Sequence, residues 1–143
     1  MVSLRKVVRL GVSVAAMRES DGAYLLVKRG HPPAKHMWAF AGGKVDYGER
    51  LTAAAKRELF EETGLVIDEK HLSFLRPVEI IIEDADDTVS HFVLMCFSVV
   101  VEDIEPVAGD DALEACFYSL EQMRTLNATP STLEIAAELV GDH

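Results

Sequence analysis

Three glutamates, Glu58, Glu61 and Glu62, stand at positions i, i+3 and i+4 of one segment. On a helix that turns by about 100° per residue, this spacing gathers them within an arc of roughly 100° on one face. Like charges so placed repel by a few tenths of a kcal/mol per pair when solvated, so the arrangement calls for a compensating cation. Clusters made only of oxygen donors suit hard ions such as Mg²⁺, which keep several waters and bridge carboxylates to substrate phosphates. Without their flanks, the same three residues would also describe a plain solvated helix face.

The flanks supply the means of holding such a face in place. From Leu51 to Thr63 the segment is alanine-rich, with β-branched residues only near its ends, and Gly64 stands where a helix terminus favours a left-handed residue, so a helix is predicted over 51–63. Ala54 lies one turn before Glu58, where a methyl group leaves space for metals and phosphate oxygens. Leu51, Ala55 and Leu59 form the adjoining apolar strip. Arg57 lies beside the acidic face and can pair with Glu49 ahead of the helix, a positional rather than a chemical role. Gly42, Gly43 and Gly48 permit the preceding loop to fold tightly against the helix, with a carbonyl turned to the metal.

The run Gly43 to Leu65 resembles the Nudix box, in which Gly, Glu, Arg-Glu, an aliphatic residue, Glu-Glu, Gly and a final aliphatic residue recur at fixed spacing. Gly43, Glu49, Arg57, Glu58, Leu59, Glu61, Glu62, Gly64 and Leu65 meet every element of that pattern. The stretch Trp38 to Gly43 is similar to the family's entry loop, and Leu25 to Arg29 to its second strand. The resemblance implies an α/β (α+β) fold, an α/β/α sandwich with a mixed β-sheet, in a single domain over residues 1–143. It also implies hydrolysis of a phosphoanhydride bond by water activated on Mg²⁺, with Mn²⁺ as an alternative. Carried over by position, Glu58, Glu61 and Glu62 are metal ligands, and the Gly42 carbonyl is a further one. Glu58 and Glu61 are also candidate catalytic groups, with Arg57 and Glu49 supporting them. The base is either a box glutamate or an acidic residue of a distant loop, for which Asp110, Asp111 and Glu114 are the candidates; an exposed acidic turn accounts for these three equally well.

Arg29 and Lys44 are candidate phosphate contacts or surface ion pairs. Trp38 is a candidate base-stacking ring, although packing inside the fold is the better reading of a lone tryptophan here. With Asp111 and Glu114 these complete the expected substrate-binding set. The histidines show no metal-ligand spacing with cysteine or one another. Asp84, Asp86 and Asp87 read as turn residues, because Asp favours turns for backbone reasons.

These groups require elements to carry them. The β-branched runs Val7 to Met17 and Ala23 to Val27, separated by turn residues, read as a hairpin. A short strand ends before Gly42, and Leu72 to Ile82 and Val89 to Val101 read as a second hairpin. Ser119 to Gln122 has the form of a capping box, and Pro130 opens a last helix. The 143 residues, 49% apolar and 27% charged, describe one globular domain. A net charge of −10 argues against binding long nucleic acid. A small nucleotide remains the expected partner. No signal peptide or membrane span is read, the two cysteines are expected as small buried hydrophobes rather than a disulfide, and a cytoplasmic setting follows. Relatives of this kind often pair, so a homodimer is an expected assembly.

Substrate choice is less clearly marked. Some subfamilies carry a proline (ADP-ribose enzymes) or a tyrosine (dinucleoside polyphosphate enzymes) about sixteen residues beyond the box, a position held here by Ile81, with Pro77 four residues early. The general pattern of Trp38 to Gly48, His91 to Leu94 and Gly109 to Ala112 leans to the ADP-ribose-like group. The alternatives are a nucleoside triphosphate pyrophosphohydrolase and a non-catalytic nucleotide-sensing module. An intact set of box carboxylates argues against the last.

Overall fold

The computed structural model describes residues 6–32, 34–84 and 87–141. Strand β1 (Arg9–Arg18) is wholly buried from Gly11 to Ala16, a run of small and β-branched residues that can be covered on both sides. It lies in the interior of a six-stranded mixed sheet with β2 (Tyr24–Arg29), β3 (Trp38–Lys44), β4 (Ser73–Asp84), β5 (Asp87–Val101) and β6 (Ala112–Tyr118), in the order β4-β5-β1-β3-β2-β6. The β1–β5 pairing is parallel and the others are antiparallel.

The second expected hairpin is present as β4–β5. Within its acidic connection, Ala85 and Asp86 lie outside the described residues. The first expected hairpin needs correction. β1 and β2 pair only at Met17 and Tyr24, because β3 lies between them along the rest of their length. β3 also runs on through the glycines to Lys44 rather than stopping at Phe40. Gly42 makes that close approach feasible: a Cβ there would lie 2.2 Å from the Val12 carbonyl oxygen.

Helix α1 (Leu51–Thr63) has the predicted bounds, and Gly64 ends it at φ 76° with its N–H bonded to the Phe60 carbonyl. Leu59, with Ala54 and Ala55, packs on Val12, Val14, Leu25, Val27 and Ala41 of the sheet face beneath. Ala54 is fully buried in this core, which corrects its reading as a residue that leaves room at the metal face. Burying a side chain the size of Leu59 contributes about 1.5–3 kcal/mol, enough to hold α1 down despite its acidic residues. The other sheet face is covered by α2 (Leu120–Met123) and α3 (Pro130–Gly141), which bring Met123, Ile135 and Ala136 against Tyr24, Leu26, Phe40 and Cys96. The predicted capping box at Ser119 and Gln122 is formed in both directions.

Helices on both faces make this the expected α/β/α sandwich. Both cysteines are free. Cys96 is buried as expected, whereas Cys116 is exposed on the edge strand β6. Among the described residues no helix is long and apolar enough to cross a membrane.

Candidate active site

The segment ahead of α1 is bound to the helix by Arg57. Its guanidinium donates from Nε to Glu49 Oε2 at 2.8 Å and from Nη2 to Glu49 Oε1 at 2.9 Å, the bidentate pair expected from the sequence. Nη2 also reaches the Lys44 carbonyl at 2.9 Å, and Nη1 donates to Glu58 Oε1 at 2.8 Å. Arg57 therefore ties together the end of β3, the turn before α1 and a helix carboxylate. The guanidinium holds the Glu49 carboxyl down at about 2, and Glu49 in turn raises the already high pKa of Arg57. Both partners stay charged throughout the pH range in which proteins work.

Glu58 is only 8% exposed and lies against Gly43, where a Cβ would come within 2.6 Å of the carboxylate. Partly buried Glu62 accepts a hydrogen bond from the Gly42 N–H at 2.9 Å. Glu58 and Glu62 stand close enough for each to bear on the other's charge. Burial, first, and then the Glu58 carboxylate push the Glu62 carboxyl far above the usual range, while Arg29 and the Gly42 amide oppose the shift. Burial likewise raises Glu58, despite Arg57 and Glu62.

Glu61 departs from the expected convergence. Its carboxylate turns to Arg57 Nη1 at 3.3 Å, and its side chain is 39% exposed. Among the described residues no group of three or more acidic, histidine or cysteine side chains surrounds one point. Spacing placed the three glutamates on one stretch of helix; a single nitrogen, Arg57 Nη1, holds Glu58 and Glu61 side by side, while Glu62 bonds to the Gly42 amide.

Glu58, Glu62, Gly42, Gly43, Arg29 and Lys44 all line a cleft of about 1390 Å³. One flank is formed by His31, Met37, Asp110 and Asp111. The other runs along the sheet past Ile80, Phe92 and Leu94 to Thr132 and Ile135 at the start of α3. Asp111 reaches the cleft through close packing, since a Cβ on Gly30 would lie 2.4 Å from its carbonyl oxygen. His31, not singled out in the sequence, stands 3.6 Å from the Asp111 carboxylate. Val107 escaped the sequence reading, and Gly109 entered it only as part of a subfamily pattern. Their amides cap the Glu62 and Thr63 carbonyls at the end of α1, so the acidic turn is fastened to the helix that bears the glutamates.

Two expected substrate contacts lie elsewhere. Glu114 belongs to β6 rather than to a loop, and it faces Lys28 at 3.5 Å, outside the cleft lining. Trp38 is 8% exposed, and its ring meets Tyr118 edge-on at 5.2 Å in the core beneath α2 and α3. A ring so enclosed has no face left for a base, which corrects the stacking role.

Fold and site together define a class: an α/β/α sandwich in which a glycine-bearing strand, a loop and a helix present paired carboxylates at a cleft. The chain belongs to the NUDIX domain family, whose sequence profile matches residues 7–139. It is 36% identical over 115 residues, 80% of its length, to the ADP-ribose pyrophosphatase of Methanocaldococcus jannaschii, and spans 65% of that relative. Over 55 residues, 36% of the chain and 38% of the relative, it is 46% identical to the nucleoside triphosphatase NudI of Escherichia coli. The NUDIX domain of Shewanella oneidensis NrtR, solved in complex with ADP ribose, shares the fold with a TM-score of 0.80 at 20% identity, over 96% of this chain and 90% of that one.

Proposed function

We propose that the chain is a divalent-metal-dependent pyrophosphohydrolase acting on a nucleoside diphosphate derivative of the ADP-ribose kind. The observation that carries this reading is the placement of Glu58 and Glu62 beside Gly43 and Gly42, in a cleft that continues to both sides of them. A two-ended diphosphate laid across such a pair has a flank for each end, whereas a triphosphate uses one flank for its nucleoside. The relative from M. jannaschii supports the same substrate class.

Two enclosed carboxyl groups, an all-oxygen donor set and a glycine that clears space beside them fit a hard divalent cation. Glu58, Glu62, the Gly42 carbonyl and, after turning from Arg57, Glu61 would hold it. Bound there, Mg²⁺ or Mn²⁺ supplies Lewis-acid chemistry, acidifying water and offsetting the negative charge that gathers on the phosphoryl oxygens. Arg29 and Lys44 attract the diphosphate to this end of the cleft. A carboxylate takes the proton of the attacking water as the new P–O bond forms and the bridging P–O bond breaks, a contribution of about 10²–10⁴ in rate. Glu58 and Glu61 are the candidates on α1, and Asp111 is the candidate on the facing turn. Arg57 and Glu49 orient the helix groups without touching the reacting atoms.

The match to NudI favours a second reading, cleavage of a nucleoside triphosphate to a monophosphate and pyrophosphate. One experiment tests both. The purified chain is incubated with ADP-ribose and with a set of nucleoside triphosphates in millimolar Mg²⁺ or Mn²⁺, and the products are resolved by chromatography. We expect AMP and ribose 5-phosphate from ADP-ribose. Monophosphate and pyrophosphate as the favoured products would transfer the assignment to the second reading, and binding of ADP-ribose without turnover would leave a sensing module.

A further inference from the structure

We propose that the wall of the cleft bearing His31 and Asp111 recognises the sugar of the half of the substrate that carries no base, and so fixes the direction in which the substrate lies. This rests on the proposed substrate class and assigns each end of that substrate to a wall. The cleft opens where the sheet splits. β3 pairs with β2 from Trp38 to Phe40 and with β1 from Ala41 to Lys44, changing neighbour in mid-strand. β1, β5 and β4 stand on one side of the split, and β2 and β6 on the other. α1 spans it: Glu58 lies against Gly43, which pairs with β1, while the charge of Arg29, the last residue of β2, bears on Glu62.

The two walls differ in chemistry. Ile80, Phe92 and Leu94, on the β1 side, offer an apolar surface of the kind that takes a flat base. His91 and Glu79, which alternate with them along the strands, are closed on each other at 3.1 Å. On the β2 side, His31 follows Arg29 by two residues, roughly 6–7 Å along an extended chain, which is about the reach from a sugar's phosphate to its ring hydroxyls. Asp111 faces the His31 ring at 3.6 Å, longer than a hydrogen bond. A carboxylate accepts from two neighbouring hydroxyls, and an imidazole donates or accepts. That set matches a vicinal diol better than the face of a base.

The loops that carry this pair are held in a conformation their residues do not favour. Among the described residues three non-glycine positions have positive φ: Ala34 at 60°, His36 at 70° and Asp110 at 51°. All three lie in the loop after His31 or in the turn before Asp111. Left-handed backbone is costly for such side chains, and residues kept in it gather at ligand clamps and active sites. Both segments are closed by backbone bonds, from the Met37 amide to the Ala34 carbonyl at 3.0 Å and from the Ala112 amide to the Gly109 carbonyl at 3.0 Å. Gly30 lets them meet, at the close approach to Asp111 described above.

Two consequences follow for the reaction. With Asp111 engaged by a sugar, the proton of the attacking water falls to Glu58 or Glu61. A nucleoside triphosphate carries no sugar beyond its phosphates, so it would leave the His31 wall without a partner.

The test uses the ¹⁵N-labelled chain in millimolar Mg²⁺, titrated separately with ribose 5-phosphate and with AMP, and needs no turnover. Ribose 5-phosphate is expected to move the amide signals of Gly30, His31 and Asp111, and AMP those of Phe92 and Leu94. His31→Ala should weaken ribose 5-phosphate about tenfold, the loss of one hydrogen bond, and leave AMP within about twofold. With ADP-ribose as substrate the same variant should raise KM about tenfold at a kcat within about threefold of the parent, the pattern of a lost binding contact. His31→Gln should recover part of that loss. The proposal is overturned if ribose 5-phosphate moves the β5 signals instead, if it moves neither set, or if His31→Ala binds it as the parent does. A chain that binds both products on the expected walls but cleaves nothing would refute the proposed hydrolysis and keep the assignment of walls. Cleavage of ADP-ribose with the walls reversed would do the opposite.

Discussion

Two regions bound the same cleft and are built differently. In the segment from Gly43 to Leu65 every acidic side chain has an assigned partner: Asp46, Glu49, Glu58 and Glu61 on Arg57, Glu62 on the Gly42 amide, with Gly43 leaving room for one carboxylate. Along β4 and β5 the wall is mostly apolar, Ile80, Phe92 and Leu94 bounding a space without directed bonds to one another, with one ion pair, His91 Nε2 to Glu79 Oε2 at 3.1 Å, across the two strands. Directed contacts fix atoms to within a fraction of an ångström, and apolar walls fix only shape. Chemistry demands the first and tolerates little substitution; ligand choice is served by the second.

The sharpest way to break this comparison is to remove a carboxylate charge while keeping its shape. Glu62→Gln weakens a proposed metal ligand and should lower activity by at least about 10–100-fold, with a melting temperature equal to or above that of the parent, since the change relieves the crowding of two carboxyl groups. Metal titration by calorimetry should show weaker Mn²⁺ binding in the same variant. Activity within about twofold of the parent at millimolar Mg²⁺ would remove Glu62 from the site and take the proposed function with it.

The two adjacent glycines sharpen the comparison at a smaller scale. At Gly43 an added methyl would meet the Glu58 carboxylate, the far end of a flexible side chain that can swing aside. Gly43→Ala should therefore fold and lose activity by about 10²-fold as the carboxylate is displaced. At Gly42 the same methyl would meet the Val12 backbone at 2.2 Å, which no rotamer can relieve. Gly42→Ala should cost stability, about 2–4 kcal/mol by analogy with overpacked cores, visible as a lowered denaturant midpoint. If the two substitutions gave the same pattern, room for Glu58 would not be the reason for glycine at 43.

The same contrast explains what could be read from the sequence. The bounds of α1, its glycine stop and the Arg57–Glu49 pair were legible because each depends on residues a few positions apart. The place of β3 between β1 and β2 was not, because strand order is decided by packing between segments distant in the chain. Glu114 reads from the sequence as a loop residue because an edge strand with exposed Leu113, Glu114 and Cys116 shows no clean buried face. Helical spacing also could not show that one Arg57 nitrogen takes both Glu58 and Glu61 while Glu62 turns to the Gly42 amide, since that is a competition between side chains and not a property of the helix. The resemblance to a known family located the chemistry, and the cleft around it had to be seen.

The smallest effect concerns Trp38. Its place beside Gly42 and Gly43 in sequence invites a role in substrate binding, but strand alternation carries its ring into the core under α2 and α3, against Tyr118. Trp38→Phe keeps an aromatic ring in that space and removes part of its volume. A cost of about 1–2 kcal/mol follows from the lost packing and ring contact, or a fall of roughly 2–6 °C in Tm for a domain of this size. KM should stay within about twofold of the parent, measured well below the new melting transition, because no atom of the ring lines the cleft. A KM raised tenfold with Tm unchanged would mean that the ring meets the substrate after all, and that the apolar wall of the cleft extends to β3.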